Sequence, residues 1–240
     1  MLNIIIPMAG SGSRFVNAGF TKPKPLIEIN GQTMISLVIK NLRPKDEHRF
    51  IFICQKEHIE NTKLKTEIES LTNNSIIIEV NGLTDGPASS VLLAQSYIDN
   101  NSPLMIANCD QFVDIDINEY LHKSKLFDGL IMTMWADDPK WSFVKFDKKN
   151  NIVAVIEKQV VSNVATVGIY NFSNGKQFCK NAHEMINNNE RVNNEFYVAP
   201  IYNYLIKENK KLSTYDIGDK MYGLGTPEDL KFFIENYKIK

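Results

Sequence analysis

The sequence predicts an α/β fold with a Rossmann-like, mixed but mainly parallel sheet. Three observations carry this expectation. Short apolar runs alternate with longer amphipathic stretches through the first half of the chain. A Gly- and Ser-rich loop follows the first apolar run directly. Beyond residue 128 the texture changes to β-like runs divided by polar turns, with helical stretches after them. Strands alternating with helices imply right-handed, parallel βαβ units. Ligands on such sheets bind beyond the carboxyl ends of the strands.

The elements read in order as follows. Leu2-Asn3-Ile4-Ile5-Ile6-Pro7 is an apolar run that fits a buried strand, and Met34–Leu42 has helical spacing. Phe50–Cys54 is a second strand, a charged helix lies within Glu57–Leu71, and Ser75–Val80 is a third strand. Ala88–Tyr97 reads as a helix, and Leu104–Ala107 as a fourth strand that ends at Asn108-Cys109-Asp110. Leu130–Trp135, Ser142–Phe146, Ile152–Glu157 and Thr166–Phe172 are β-like, with turn signals such as Lys149-Asn150-Asn151 between them. Helices follow near Lys176–Asn187 and Ala199–Glu208, then short strands at Leu212–Asp216 and Lys220–Tyr222. Thr226–Tyr237 is a closing helix, with Thr226 as N-cap and Pro227 at the first helical position. No repeat or linker divides the chain, so 1–240 reads as one domain with a break in texture near residue 128.

Composition narrows the function. The 240 residues carry 27 Lys plus Arg against 28 Asp plus Glu, a net charge of -1. A nucleic-acid polymer is therefore not an expected partner, since that binding needs a basic face. Phosphate handling must come from a few local residues. The three cysteines, Cys54, Cys109 and Cys179, are widely spaced and odd in number, which fits a reducing cytoplasm rather than a disulfide framework. The opening apolar run is too short for a signal peptide or membrane span, so no membrane partner is expected and the expected location is cytoplasmic. A homo-oligomer is compatible with the sequence.

The first loop is Ala9-Gly10-Ser11-Gly12-Ser13-Arg14-Phe15. Glycines let the backbone approach a triphosphate and turn N–H groups toward it. Arg14 can add a forked cationic contact. The loop lacks the Walker Gly-Lys-Ser/Thr ending, and Phe15 breaks G-x-G-x-x-G, which disfavours a P-loop ATPase and a dinucleotide site. A little further on comes Lys22-Pro23-Lys24-Pro25-Leu26, where two prolines keep the segment out of a helix and hold Lys24 on a rigid, exposed, extended strap. Taken together, the two segments resemble the signature of sugar-phosphate nucleotidyltransferases, G-x-G-x-R-F followed by P-K-P-L.

That resemblance implies a nucleotidyltransferase (GT-A-like) fold, with 1–128 as the nucleotide-binding half and 129–240 as the acceptor-binding half. It also assigns roles. Arg14 and Lys24 would grip the triphosphate, helped by Ala9, Gly10, Ser11, Gly12 and Ser13. Asn81-Gly82-Leu83-Thr84-Asp85-Gly86-Pro87-Ala88 resembles the base-reading loop, in which Asn81, Gly86 and Ala88 would meet the nucleobase. Asn108-Cys109-Asp110 resembles the metal motif, with Asn108 near the nucleotide and Asp110 on Mg²⁺ or Mn²⁺. Glu157-Lys158 resembles the E-K pair whose lysine meets the second substrate's phosphate, and Val167-Gly168-Ile169-Tyr170 resembles the strand lining the acceptor pocket. Gly225-Thr226-Pro227-Glu228-Asp229-Leu230 resembles the G-T-P-E-D-L helix start. Plainer readings stand beside these: Asp110 as a cap, Glu157-Lys158 as a solvated hairpin pair, Trp135 and Trp141 as core or rim packing. None of the histidines His48, His58, His122 and His183 is assigned to catalysis.

The pattern breaks in one place. Many sugar nucleotidyltransferases carry D-x-G-T before the closing helix, and its Asp is the second metal ligand; here the residues are Gly223-Leu224-Gly225-Thr226. Glu195, in Asn194-Glu195-Phe196-Tyr197, is the candidate replacement, and Asp219 is a weaker one. Ile5-Ile6-Pro7-Met8-Ala9-Gly10-Ser11-Gly12-Ser13-Arg14-Phe15, Asn81-Gly82-Leu83-Thr84-Asp85-Gly86 and Leu224-Gly225-Thr226-Pro227-Glu228-Asp229-Leu230 more closely resemble short capsule-locus nucleotidyltransferases, among them the cytidylyltransferase of bacterial capsule phosphoramidate synthesis. That narrower resemblance implies CTP and glutamine phosphate as substrates and CDP-glutamine as product. Rival readings are a hexose-1-phosphate nucleotidylyltransferase, a GT-A glycosyltransferase using Asp114-Ile115-Asp116, and an inactive nucleotide-binding regulator.

Overall fold

A computed structural model describes residues 1–238 of the chain. Its centre is a nine-stranded mixed sheet. Leu2–Met8 pairs in parallel with His48–Gln55 on one side and Leu104–Ala107 on the other, and His48–Gln55 pairs in parallel with Ile76–Val80. Val164–Phe172 then runs antiparallel to Leu104–Ala107, and it also pairs antiparallel with Gly129–Trp135 and Ser142–Phe146. Ile152–Glu157 forms one edge through Ser142–Phe146, and Leu212–Asp216 adds in parallel to Gly129–Trp135. The mixed, mainly parallel sheet that the alternating runs imply is the one observed.

One sheet therefore carries both halves of the chain, joined where Leu104–Ala107 meets Val164–Phe172. Its two faces have separate cores. Ile4, Ile6, Phe50 and Phe52 pack on one side with Val38, Phe143 and Phe233. Ile5, Ile51 and Ile53 pack on the other with Phe172, Phe178 and Tyr202. Strands buried on both faces explain why these runs are continuously apolar rather than alternating.

Most elements lie within a residue or two of their expected bounds, and the differences have local causes. The Glu57–Leu71 stretch forms two helices, Lys56–Asn61 and Leu64–Leu71, because Thr62 is extended between them. The Ala88–Tyr97 stretch also divides, into Pro87–Leu92 and Gln95–Ile98. The helix Ile117–Ser124 and the strand Gln111–Val113 were not expected. Asp116 starts that helix, its carboxylate accepting from the Asn118 N–H at 2.8 Å. Lys24–Leu26 is a single 3-10 turn, not an extended strap, because Pro25 fits its second position and Leu26 N–H closes on Pro23 O at 2.8 Å.

Candidate active site

The expected loops gather at the carboxyl end of the parallel strands. Gly12, at φ +61, turns the chain into the short helix Ser13–Asn17. Gln55, at the end of the neighbouring strand, donates from Nε2 to Ala9 O at 2.8 Å and so ties the loop to the sheet. Gly10, Ser11, Ser13 and Arg14 stay exposed. An exposed, anchored Gly-Ser turn leading into a helix leaves backbone N–H groups for an anion.

Lys24 is close beneath this loop, since a Cβ on Gly12 would lie 3.4 Å from Lys24 Cβ. Its ammonium is bonded to Asp110 Oδ2, and the two side chains are 18% and 24% exposed. This corrects the expectation of an exposed strap. Burial works against the Lys24 ammonium, but Asp110 outweighs it, and the lysine stays charged above its ordinary range. Asp110 is held by its own backbone, whose carbonyl accepts from Leu224 N–H at 2.8 Å. Gly225 makes room for the carboxylate: a Cβ there would lie 2.9 Å from Oδ2.

The donor set suits a hard cation. A carboxylate beside a phosphate loop fits Mg²⁺ or Mn²⁺, which take one or two protein carboxylates plus phosphate oxygens and water. Among the described residues no three His, Cys, Asp or Glu converge on one point. Asp110 is the carboxylate in this cluster that could hold such an ion. Glu195 is exposed beside Tyr197 and close to Glu157, and no contact joins it to Asp110 among the described residues. The carboxylate against Gly223 belongs to Asp229, whose Cγ lies 3.2 Å from where a Cβ would be. Neither Glu195 nor Asp219 stands there.

The base-reading loop is pinned to the second half of the chain. Phe196 N–H donates to Asp85 O at 2.7 Å, and Ala88 N–H donates to Phe196 O at 2.9 Å. Gly86, at φ +118, permits this approach, because a Cβ would lie 2.6 Å from Phe196 N. Gly86 O accepts from Ser90 N–H and from the Thr84 and Ser90 hydroxyls. Gly86 and Ala88 are buried, so within this loop only Asn81 and its neighbours Gly82 and Leu83 form an exposed run.

The acceptor-side residues form a second cluster. Glu157 is 8% exposed and accepts from the Ser142 hydroxyl. Burial pushes its carboxyl above the usual carboxylate range. Lys158 has a left-handed backbone, φ +55, an uncommon conformation that turns it away from the strand. Its ammonium bonds the Tyr197 hydroxyl and lies 4.5 Å from that ring's centroid. Gly168, at φ +78, leaves the space taken by the Asn108 and Gln111 amides, which a Cβ would meet at 2.3 Å and 2.4 Å. Tyr170 points inward: it is 6% exposed and bonds Thr166 Oγ1 at 2.9 Å. It packs beneath the site instead of lining a pocket. Gln55, Gln111 and Tyr197 were not singled out from the sequence, and nothing in their local pattern marks them; long-range packing brings them here. Trp135 is 65% exposed, which excludes a core role, and the sulfurs of Cys54, Cys109 and Cys179 are free.

A family model described as nucleotidyl transferase matches residues 3–235. The chain belongs to the nucleotidyl transferase family. It is 26% identical over 230 residues to the bifunctional protein GlmU of Methanocaldococcus jannaschii, covering 90% of this chain and 51% of the relative. It is 25% identical over 185 residues to the mannose-1-phosphate guanylyltransferase catalytic subunit beta of Dictyostelium discoideum, covering 72% and 50%. The chain thus spans about half the length of the curated relatives it matches. Among solved structures it resembles a nucleoside-diphosphate-sugar pyrophosphorylase from Vibrio cholerae, with a TM-score of 0.84, 26% identity, and coverage of 97% of this chain and 100% of that one. It shares its fold with the inositol-1-phosphate CTP transferase of T. maritima, at a TM-score of 0.71 and 15% identity over 99% and 98% of the two chains. No helix among the described residues is long and apolar enough to cross a membrane.

Proposed function

We propose that the chain transfers CMP from CTP to a small phosphorylated acceptor, glutamine phosphate, forming CDP-glutamine and pyrophosphate. The observation that carries the transfer reaction is the meeting of Lys24 and Asp110 beneath the Gly10–Ser13 loop. Such a pair offers a cation and a metal-competent carboxylate of the kind a triphosphate needs. An acceptor phosphate attacks the α-phosphorus in line. Its second pKa is about 6, so it is already largely ionised and needs no strong base. Lys158, aimed by Tyr197, holds that phosphate. Arg14 and Lys24 balance charge on the reacting centre and on the departing pyrophosphate. A divalent cation on Asp110 would supply further charge neutralisation at the phosphate oxygens.

The choice of CTP rests on the resemblance to capsule-locus cytidylyltransferases and on Pro87, which offers no N–H to the C4 carbonyl that uracil and thymine carry in place of the cytosine amino group. Asp85 O and Gly86 O are engaged by the chain's own donors. The acceptor for the cytosine amino group therefore falls to the exposed Asn81–Leu83 stretch. Glutamine phosphate carries an amine, which suits the exposed Glu195 beside Tyr197.

A second reading, an NDP-sugar synthase, is favoured by the likeness to a mannose-1-phosphate guanylyltransferase subunit and a nucleoside-diphosphate-sugar pyrophosphorylase. A glycosyltransferase is disfavoured, because Asp116 caps a helix and Asp114 accepts from the Tyr237 hydroxyl at 3.1 Å. Comparing kcat/KM for CTP and UTP, with glutamine phosphate and with hexose 1-phosphates, separates the readings. A preference for CTP of about 10- to 100-fold is expected from leaving a polar base edge unpaired. Equal values for the two nucleotides would remove the cytidylyltransferase assignment.

A further inference from the structure

We propose that Lys24 and the divalent cation are rivals for Asp110, so that the cation enters only together with a triphosphate that draws Lys24 away. The proposal rests on the nucleotidyltransferase reading of the site.

The geometry makes the rivalry specific. The Lys24 ammonium is bonded to Asp110 Oδ2, in a pair that is mostly buried. The lysine is not a flexible surface side chain, because it opens a 3-10 turn between Pro23 and a buried Pro25. Gly12 and Gly225 pass close on either side: a Cβ on Gly12 would lie 3.4 Å from Lys24 Cβ, and one on Gly225 would lie 2.9 Å from Asp110 Oδ2. The Asp110 carbonyl is engaged by Leu224 N–H, so the residue cannot withdraw from the pair as a whole.

A cation on this carboxylate would sit about 2.1 Å from an oxygen, within a few ångströms of the ammonium. Like charges that close, away from bulk water, repel strongly. Asp110 with Lys24 is already neutral, and adding a divalent ion alone leaves its charge uncompensated. A triphosphate in the Gly10–Ser13 loop supplies the missing negative charge. It gives Lys24 a phosphate oxygen to turn to, and the cation takes Asp110 in exchange. Cation and triphosphate then raise each other's affinity by the same factor, as linkage requires.

Mn²⁺ alone, titrated into the folded chain and followed by the free-ion EPR signal, tests this. Lys24→Met is expected to bind Mn²⁺ about tenfold or more tightly than wild type, a difference of about 1.4 kcal/mol. Lys24→Arg keeps the charge and should bind like wild type. Adding Asp110→Asn to Lys24→Met should abolish the gain. Thermal melts check each fold, and Lys24→Gln carries the comparison if Lys24→Met does not fold. Equal affinity of wild type and the neutral variant overturns the proposal, as does a gain that survives Asp110→Asn. Pyrophosphate release by wild type is scored separately. Release without the Mn²⁺ pattern refutes the rivalry alone, whereas the pattern without release refutes the enzymatic reading alone.

Discussion

At the scale of single residues, the account depends on charges held in place by their surroundings. Lys24→Ala should lower kcat about 100-fold, on the order of 3 kcal/mol, because a fixed charge at a reacting phosphate is lost. Its stability should fall too, by roughly 1–3 kcal/mol, since the mostly buried Asp110 carboxylate loses its partner. Steady-state kinetics beside a urea titration separate the two effects, and a near wild-type rate would remove Lys24 from the mechanism. Glu157 makes a pH prediction. Burial raises its folded pKa above the unfolded value, so ionising it costs stability. The stability of wild type relative to Glu157→Gln is therefore greatest below the ordinary carboxylate pKa. It declines as pH rises through the raised one. Denaturant midpoints of both proteins across the acid-to-neutral range measure this; a difference independent of pH would show that Glu157 is not held in a desolvated place.

At the scale of elements, the base loop and the segment around Phe196 act as one piece. Gly86→Ala forces a side chain onto a backbone at φ +118 and against Phe196 N at 2.6 Å. It should cost about 2 kcal/mol or more. It should also raise KM for the nucleotide more than KM for the acceptor. A chemical denaturation midpoint and the two KM values check both statements, and an unchanged nucleotide KM would uncouple this loop from base binding. The closing helix is explained locally: Thr226 Oγ1 accepts from Asp229 N–H at 3.1 Å, with Pro227 at the first helical position.

At the scale of the whole molecule, what could be read from sequence divides by range. Leu104–Ala107, Ser142–Phe146, Ile152–Glu157 and Leu212–Asp216 have the expected bounds; the first three are apolar-rich runs ended by polar residues. Gln111–Val113 exists only through pairing with Met221–Gly223, over a hundred residues away, and leaves no local signal. The same holds for the site. The phosphate loop, the Pro23-Lys24-Pro25-Leu26 segment and the E-K pair are visible as motifs. Lys24 meeting Asp110 across 86 residues is a property of the sheet, as is Phe196 meeting Gly86. Sequence named residues of the site, and folding decided which of them touch. The central claim is that an NTP α-phosphate is transferred to a phosphorylated acceptor. Incubation with α-³²P-labelled CTP, Mg²⁺ and glutamine phosphate, resolved by chromatography, tests it directly. The account predicts label in a new acceptor conjugate, with one pyrophosphate released per label transferred. Label that stays in CTP with every phosphorylated acceptor and NTP tried, or that moves to CDP with release of inorganic phosphate, would contradict it.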